Sequence, residues 1–94
     1  MEDIKEVLGE IEKLAKTMLL WPEDDRISLY KKLDLYLLEL EGEFCRAANK
    51  HADEVLSELK LHLIMLAHLY EPDEHTDEQH YSRALNALDK LRCL

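Results

Sequence analysis

The stretch from Val55 to Tyr70, VLSELKLHLIMLAHLY, decides the fold class. Val55, Leu56, Leu59, Leu63, Leu66 and Tyr70 recur at helical steps and face one way, while Leu61, Ile64, Met65 and Leu69 face others. Between Leu61 and Tyr70 only His62 and His68 are polar. A helix that is apolar nearly all round is covered nearly all round. A chain of 94 residues cannot cover it alone. The stretch therefore predicts a helical fold and self-association, with Leu61, Ile64 and Met65 among the interface residues.

Composition agrees. Leucine supplies 20 residues, whereas Val, Ile and Thr together supply eight. With two glycines and two prolines, turns are few. That balance favours helices and excludes a Rossmann domain, a sandwich or a barrel. The hydrophobic share of 47% is enough for one small core, so residues 1–94 read as a single domain. No apolar run is long enough to span a bilayer, and the opening MEDIKEV is acidic, so a cytoplasmic protein without a membrane segment is expected. Cys45 and Cys93 are no disulfide framework and read as small helix hydrophobes.

Four helices follow from periodicity. The first is expected from about Asp3 to Leu20, with Ile4, Val7, Leu8, Ile11, Leu14, Ala15 and Met18 on one seam. Trp21-Pro22 stops it, because the residue before proline avoids the α region. The second is expected to begin at Pro22, with Glu23, Asp24 and Asp25 in its first turn, and to reach about Ala48. Tyr30, Leu33, Leu37, Leu40 and Phe44 form its inner seam. Leu35, Leu38 and Cys45 form a second stripe, which implies a second set of neighbours. Gly42 marks either a close helix approach or a weak spot.

Asn49-Lys50-His51 reads as a loop, and the third helix as running from Ala52 or Asp53 to Tyr70. Glu71 to His75 is a second loop. Thr76-Asp77-Glu78-Gln79 matches a capping box, and the fourth helix runs from there to the end with Tyr81, Ala84, Leu85, Leu88 and Leu91 inward. Short connections between four helices predict an all-α, antiparallel up-and-down four-helix bundle, assembled as a homo-oligomer.

The formal net charge is −9, from 21 Asp and Glu against 12 Lys and Arg. Such a chain repels phosphate at long range, so RNA binding by the free protein is expected to be weak and salt-sensitive. A basic protein is the easier partner. His68, Glu71, Asp73, Glu74, His75, Asp77, Glu78 and His80 crowd one region, but their spacing matches no metal motif. They read as a solvated loop and helix cap, and neither a metal nor another cofactor is expected. Two glycines supply no phosphate loop, Cys45 has no evident activating base, and His62 reads as a core or interface histidine with a hydrogen-bond partner. Arg46 and His51 resemble the R-x4-H signature of HEPN ribonucleases, where His is the acid–base and Arg steadies the phosphate. Ala47 stands where those motifs carry a polar residue. The pair reads instead as an exposed arginine at a helix C-terminus followed by a histidine, without catalytic residues.

The order of segments carries a wider resemblance. A helix ends before Trp21-Pro22-Glu23-Asp24-Asp25-Arg26, a long helix ends in Ala47-Ala48-Asn49-Lys50, and a leucine-dense helix precedes a loop and a final amphipathic helix. From about Ile11 to Leu94 this resembles the four-helix family of the accessory variability determinant of diversity-generating retroelements and the 23S-rRNA intervening-sequence proteins. The resemblance implies a homopentamer without chemistry of its own that binds the retroelement's reverse transcriptase, with the template RNA as a further ligand. Leu61 to Leu69 carries no arginine, so the residues left to meet RNA or a partner are Lys31, Lys32, Arg46, Lys50 and Lys60. The interface candidates are Leu35, Leu38, Leu61, Ile64 and Met65. The other readings are an acidic adaptor or inhibitor docked on a basic nucleic-acid-binding protein and, behind it, a HEPN-type ribonuclease carried by Arg46 and His51.

Overall fold

The computed structural model describes residues 4–71 and 74–93. Asp3 and Glu2 at the expected start of the first helix, Pro72 and Asp73 in the second loop, and Leu94 lie outside the described residues. Four α-helices form: α1 (Ile4–Leu20), α2 (Arg26–Arg46), α3 (Lys50–Leu66) and α4 (Asp77–Arg92), with a short 3-10 turn at Glu23–Asp25 before α2. No strand occurs among the described residues, so the all-α expectation holds. Each helix packs on the next in chain order, α4 closes on α1, and α1 touches α3 lightly across the middle.

The seams read from periodicity are the core. Leu8, Ile11 and Met18 of α1, Leu33 and Leu40 of α2, Leu59, Leu63 and Leu66 of α3 and Leu88 of α4 are almost wholly removed from solvent. Each such side chain contributes about 1.5–3 kcal/mol against exposure. The α3–α4 pair is the most intimate, because the buried α4 positions include Ala84 and Ala87. Small side chains there let the two backbones approach. Tyr81 and Leu85 flank that contact half-buried.

Helix starts follow their caps. Thr76 accepts from the Gln79 amide at 3.2 Å, while the Gln79 side chain accepts from the Thr76 amide at 2.8 Å, so the capping box is complete. The expected Asn49-Lys50-His51 loop is instead a helix start. Asn49 accepts from the Ala52 amide at 3.0 Å, and Lys50 and His51 form the first turn of α3. Pro22 likewise lies outside α2: the Asp25 amide bonds back to the Pro22 carbonyl at 3.0 Å, closing a 3-10 turn first.

α3 ends before its apolar pattern does, and α2 ends two residues short of Ala48. The Asn49 amide reaches the Phe44 carbonyl and the Ala48 amide that of Cys45; the Leu69 amide reaches Ile64 and the His68 amide Met65. These are paired Schellman endings, with Ala48 (φ 53) and His68 (φ 61) in the left-handed region that glycine ordinarily fills. The expected boundaries at Ala48 and Tyr70 are therefore too long. Leu69 and Tyr70 leave α3 altogether and are exposed, so α3 is not buried all round. Gly42 is no close approach, since an added Cβ would meet only the Arg46 side chain at 3.9 Å. Two opposite exchanges should thus both stabilise: Ala48→Gly by relieving the left-handed strain and Gly42→Ala by helix propensity, each by about 1 kcal/mol in urea melts.

Candidate functional site

Chemistry concentrates where the end of α1, the start of α2, the end of α3 and the start of α4 meet. The core-facing register of α2 runs Arg26, Leu29, Leu33, Leu37, Leu40, Phe44, so a guanidinium enters the protein at its first step, only 7% exposed. Its Nη1 donates to the Leu66 carbonyl at 2.8 Å and to Asp77 Oδ2 at 2.8 Å. Its Nε donates to the Trp21 carbonyl at 3.2 Å and its Nη2 to the Leu19 carbonyl at 3.3 Å. The last carbonyls of a helix lack intrahelical donors and form the negative end of its dipole. One cation thus satisfies the ends of α1 and α3, and its carboxylate partner stands at the α4 N-terminus, where negative charge is favoured.

His68 extends the network. Its Nε2 lies 2.8 Å from Asp77 Oδ1 and its Nδ1 2.8 Å from Glu23 Oε1. An imidazole that meets a carboxylate at both nitrogens must donate from both, which requires the imidazolium. Burial works to lower the His68 pKa, but the hydrogen bonds to Asp77 and Glu23 outweigh it and hold the group above its ordinary 6.5. For Asp77 burial works upward, but the bonds from Arg26 and His68 prevail and hold its carboxyl below 3.8.

A second cluster lies between α3 and α4. The Nδ1 atoms of His62 and His80 are 3.3 Å apart, and both residues are buried. His75 approaches the His80 ring edge-on with centroids 5.5 Å apart. Burial first, then His80, lowers the His62 pKa; Glu58, 3.9 Å from His62 Nε2 and half-exposed, pulls upward more weakly. The reading of His62 as a core histidine with a partner is met by His80. Among the described residues no three His, Cys, Asp or Glu side chains are placed to hold a metal ion.

The two clusters predict opposite pH slopes. His68, with its folded pKa above 6.5, contributes fully below 6.5 and loses that contribution as pH rises through the folded value. His62, with its folded pKa below 6.5, costs stability as pH falls from 6.5 toward the folded value. Asp77 adds a further loss as pH falls from 3.8 through its folded value. Melting temperature should peak near pH 6.5. His68→Gln should flatten the alkaline side of that peak and His62→Gln the acid side above the carboxylate range.

The basic candidates are not gathered into one surface. Lys31 and Lys32 are exposed on α2, and Arg46 ends it, about 22 Å from Lys31 along the axis. The Arg46 guanidinium is engaged by Glu43 at 3.0 Å, and Lys50 and His51 are exposed in the first turn of α3. Lys60 lines a groove of about 270 Å³ with Leu37, Glu41, Cys45, Asp53, Leu56 and Ser57. Acids share that groove, so it carries no basic field. Of the apolar candidates, Leu35, Leu38 and Leu61 are 67%, 52% and 49% exposed, while Ile64 and Met65 are half-buried. Arg26 was not singled out from sequence, although its place in the core register of α2 is the signal that marks it. No helix among the described residues is long and apolar enough to cross a membrane.

No family model, no curated protein and no solved structure matches the chain.

Proposed function

We propose that this is a non-catalytic, cytoplasmic interaction protein: an antiparallel up-and-down four-helix bundle that works as a homo-oligomer. The observation that carries the reading is the exposure of Leu38 on α2 and Leu61 on α3, with Leu35 exposed on the side of α2 nearer Glu10 and Leu14 of α1. Leu37 and Lys60 line the α2–α3 groove, and Leu38 and Leu61, which follow them, are exposed on the same two helices. Apolar side chains so exposed gain by being covered. Support for the antiparallel order is Arg26 at the start of α2, which binds the ends of α1 and α3 and the start of α4.

In its specific form, which rests on the resemblance, the assembly is a pentamer that binds a retroelement reverse transcriptase. The scattered cations favour RNA being held in the ternary complex rather than by the free protein. The acidic balance equally supports the adaptor that docks on a basic partner. Light scattering should give a multiple of the single-chain mass, and Leu38→Glu should return it to one chain. A wild-type monomer at micromolar concentration would overturn self-association. Failure to co-purify with a retroelement reverse transcriptase would leave the adaptor.

A further inference from the structure

We propose that the end of the molecule where α1 meets α2 and α3 meets α4 is a docking surface for a cationic, amphipathic helix of a partner protein. This rests on the preceding reading only in taking the protein to act by binding another. Five of the exposed large apolar side chains lie in the segments meeting there: Leu20, Trp21, Ile27, Leu69 and Tyr70. The remaining three, Leu35, Leu38 and Leu61, lie on the bodies of α2 and α3, so the greater apolar surplus is at this end.

The segments that carry these five residues meet at one end of the bundle. A single guanidinium binds the carbonyls of Leu19, Trp21 and Leu66, so the chain leaves α1 and α3 at the same point. His68, one residue before Leu69, lies 2.8 Å from Glu23, so the chain leaving α3 runs against the turn that precedes α2 and Ile27. The Arg26–Asp77–His68–Glu23 network fixes these turns, so the surface is preorganised and little ordering is lost on binding.

Charge selects the occupant. Residues 20–27 and 69–78 hold eight of the chain's acids and a single Lys or Arg, and that one, Arg26, is buried. Asp24, Asp25, Glu71, Glu74 and Glu78 are exposed around the apolar residues. Such a rim repels nucleic acid and anionic lipid. It also disfavours a second copy, because corner against corner sets acids against acids. A helix with leucines on one face and arginines on the other satisfies both parts, its apolar stripe on Leu20, Trp21 and Tyr70 and its guanidinium groups on the acids. Trp21 and Tyr70 also offer ring faces to those cations.

Trp21 is the only tryptophan, so its emission reports on this end alone. Titration with a synthetic helical peptide, leucines along one face and arginines along the other, should give a saturable blue shift. Asp24→Lys with Asp25→Lys should weaken the affinity at least about tenfold, and Tyr70→Ser should weaken it with the melting curve unchanged. Leu38→Glu, aimed at self-association, should leave peptide binding intact even as it changes the mass. The proposal is overturned if no saturable shift occurs, if oligo-arginine binds equally well, or if the double lysine variant binds unchanged. It is overturned too if that variant dissociates the oligomer, since the corner is then an interface between copies.

Discussion

Arg26→Met is expected to destabilise the protein by about 3–5 kcal/mol, the cost of leaving a buried charge network without one partner. Methionine keeps the apolar stem but removes every donor. Asp77 loses its cation, and the carbonyls of Leu66, Leu19 and Trp21 lose the groups that satisfied them. At about 4–8 °C per kcal/mol for a domain of this size, the melting temperature should fall by roughly 12–40 °C. Arg26→Lys should recover only part, because one ammonium cannot reach acceptors spread over four directions. Thermal melts followed by circular dichroism decide. A loss under about 1 kcal/mol would mean that solvent replaces the guanidinium, and that the corner is not fixed by it.

What sequence could show of this architecture depended on how local its cause was. The capping box at Thr76 and the stop at Trp21-Pro22 are made by neighbours in sequence, and both stand in the structure. The inner seams of all four helices are periodic, and most of their residues are buried, with Tyr70 exposed and Ile4, Leu14, Tyr30, Tyr81 and Leu85 only partly covered. The ends of α2 and α3 were misplaced because Ala48 and His68 fill positions that glycine usually marks. For His68 the compensation is distant: Glu23 and Asp77 hold its ring, and Arg26 binds the Leu66 carbonyl two residues before. No window of sequence shows such a contact.

The same cause hid the site. The crowd of histidines and acids from His68 to His80 looked like one solvated region. The structure divides it between two environments. His68 and Asp77 join Arg26, while His80 turns inward to His62. Arg26 carried a legible signal, a charge in the buried register of α2, which the acids around it obscured. The cationic candidates share only their charge, and nothing in the helix periodicity requires them to converge.

Leu59→Ala is expected to cost about 2–5 kcal/mol, because the side chain is wholly buried on α3 and truncation leaves a cavity. Its neighbours in the core can relax only in part, which sets the spread. Leu38, half-exposed on α2, provides the contrast. Leu38→Ala should change the stability of a single chain by no more than about 0.5 kcal/mol. In an assembly it should still lower the melting temperature, because copies that bind the folded state stabilise it by mass action. The concentration dependence separates the two effects. Wild type and Leu59→Ala should both melt higher as protein concentration rises, the second from a lower start. Leu38→Glu should melt at one temperature throughout. If wild type also melts independently of concentration, the α2 leucines are covered by no second copy, and self-association is not what this face does.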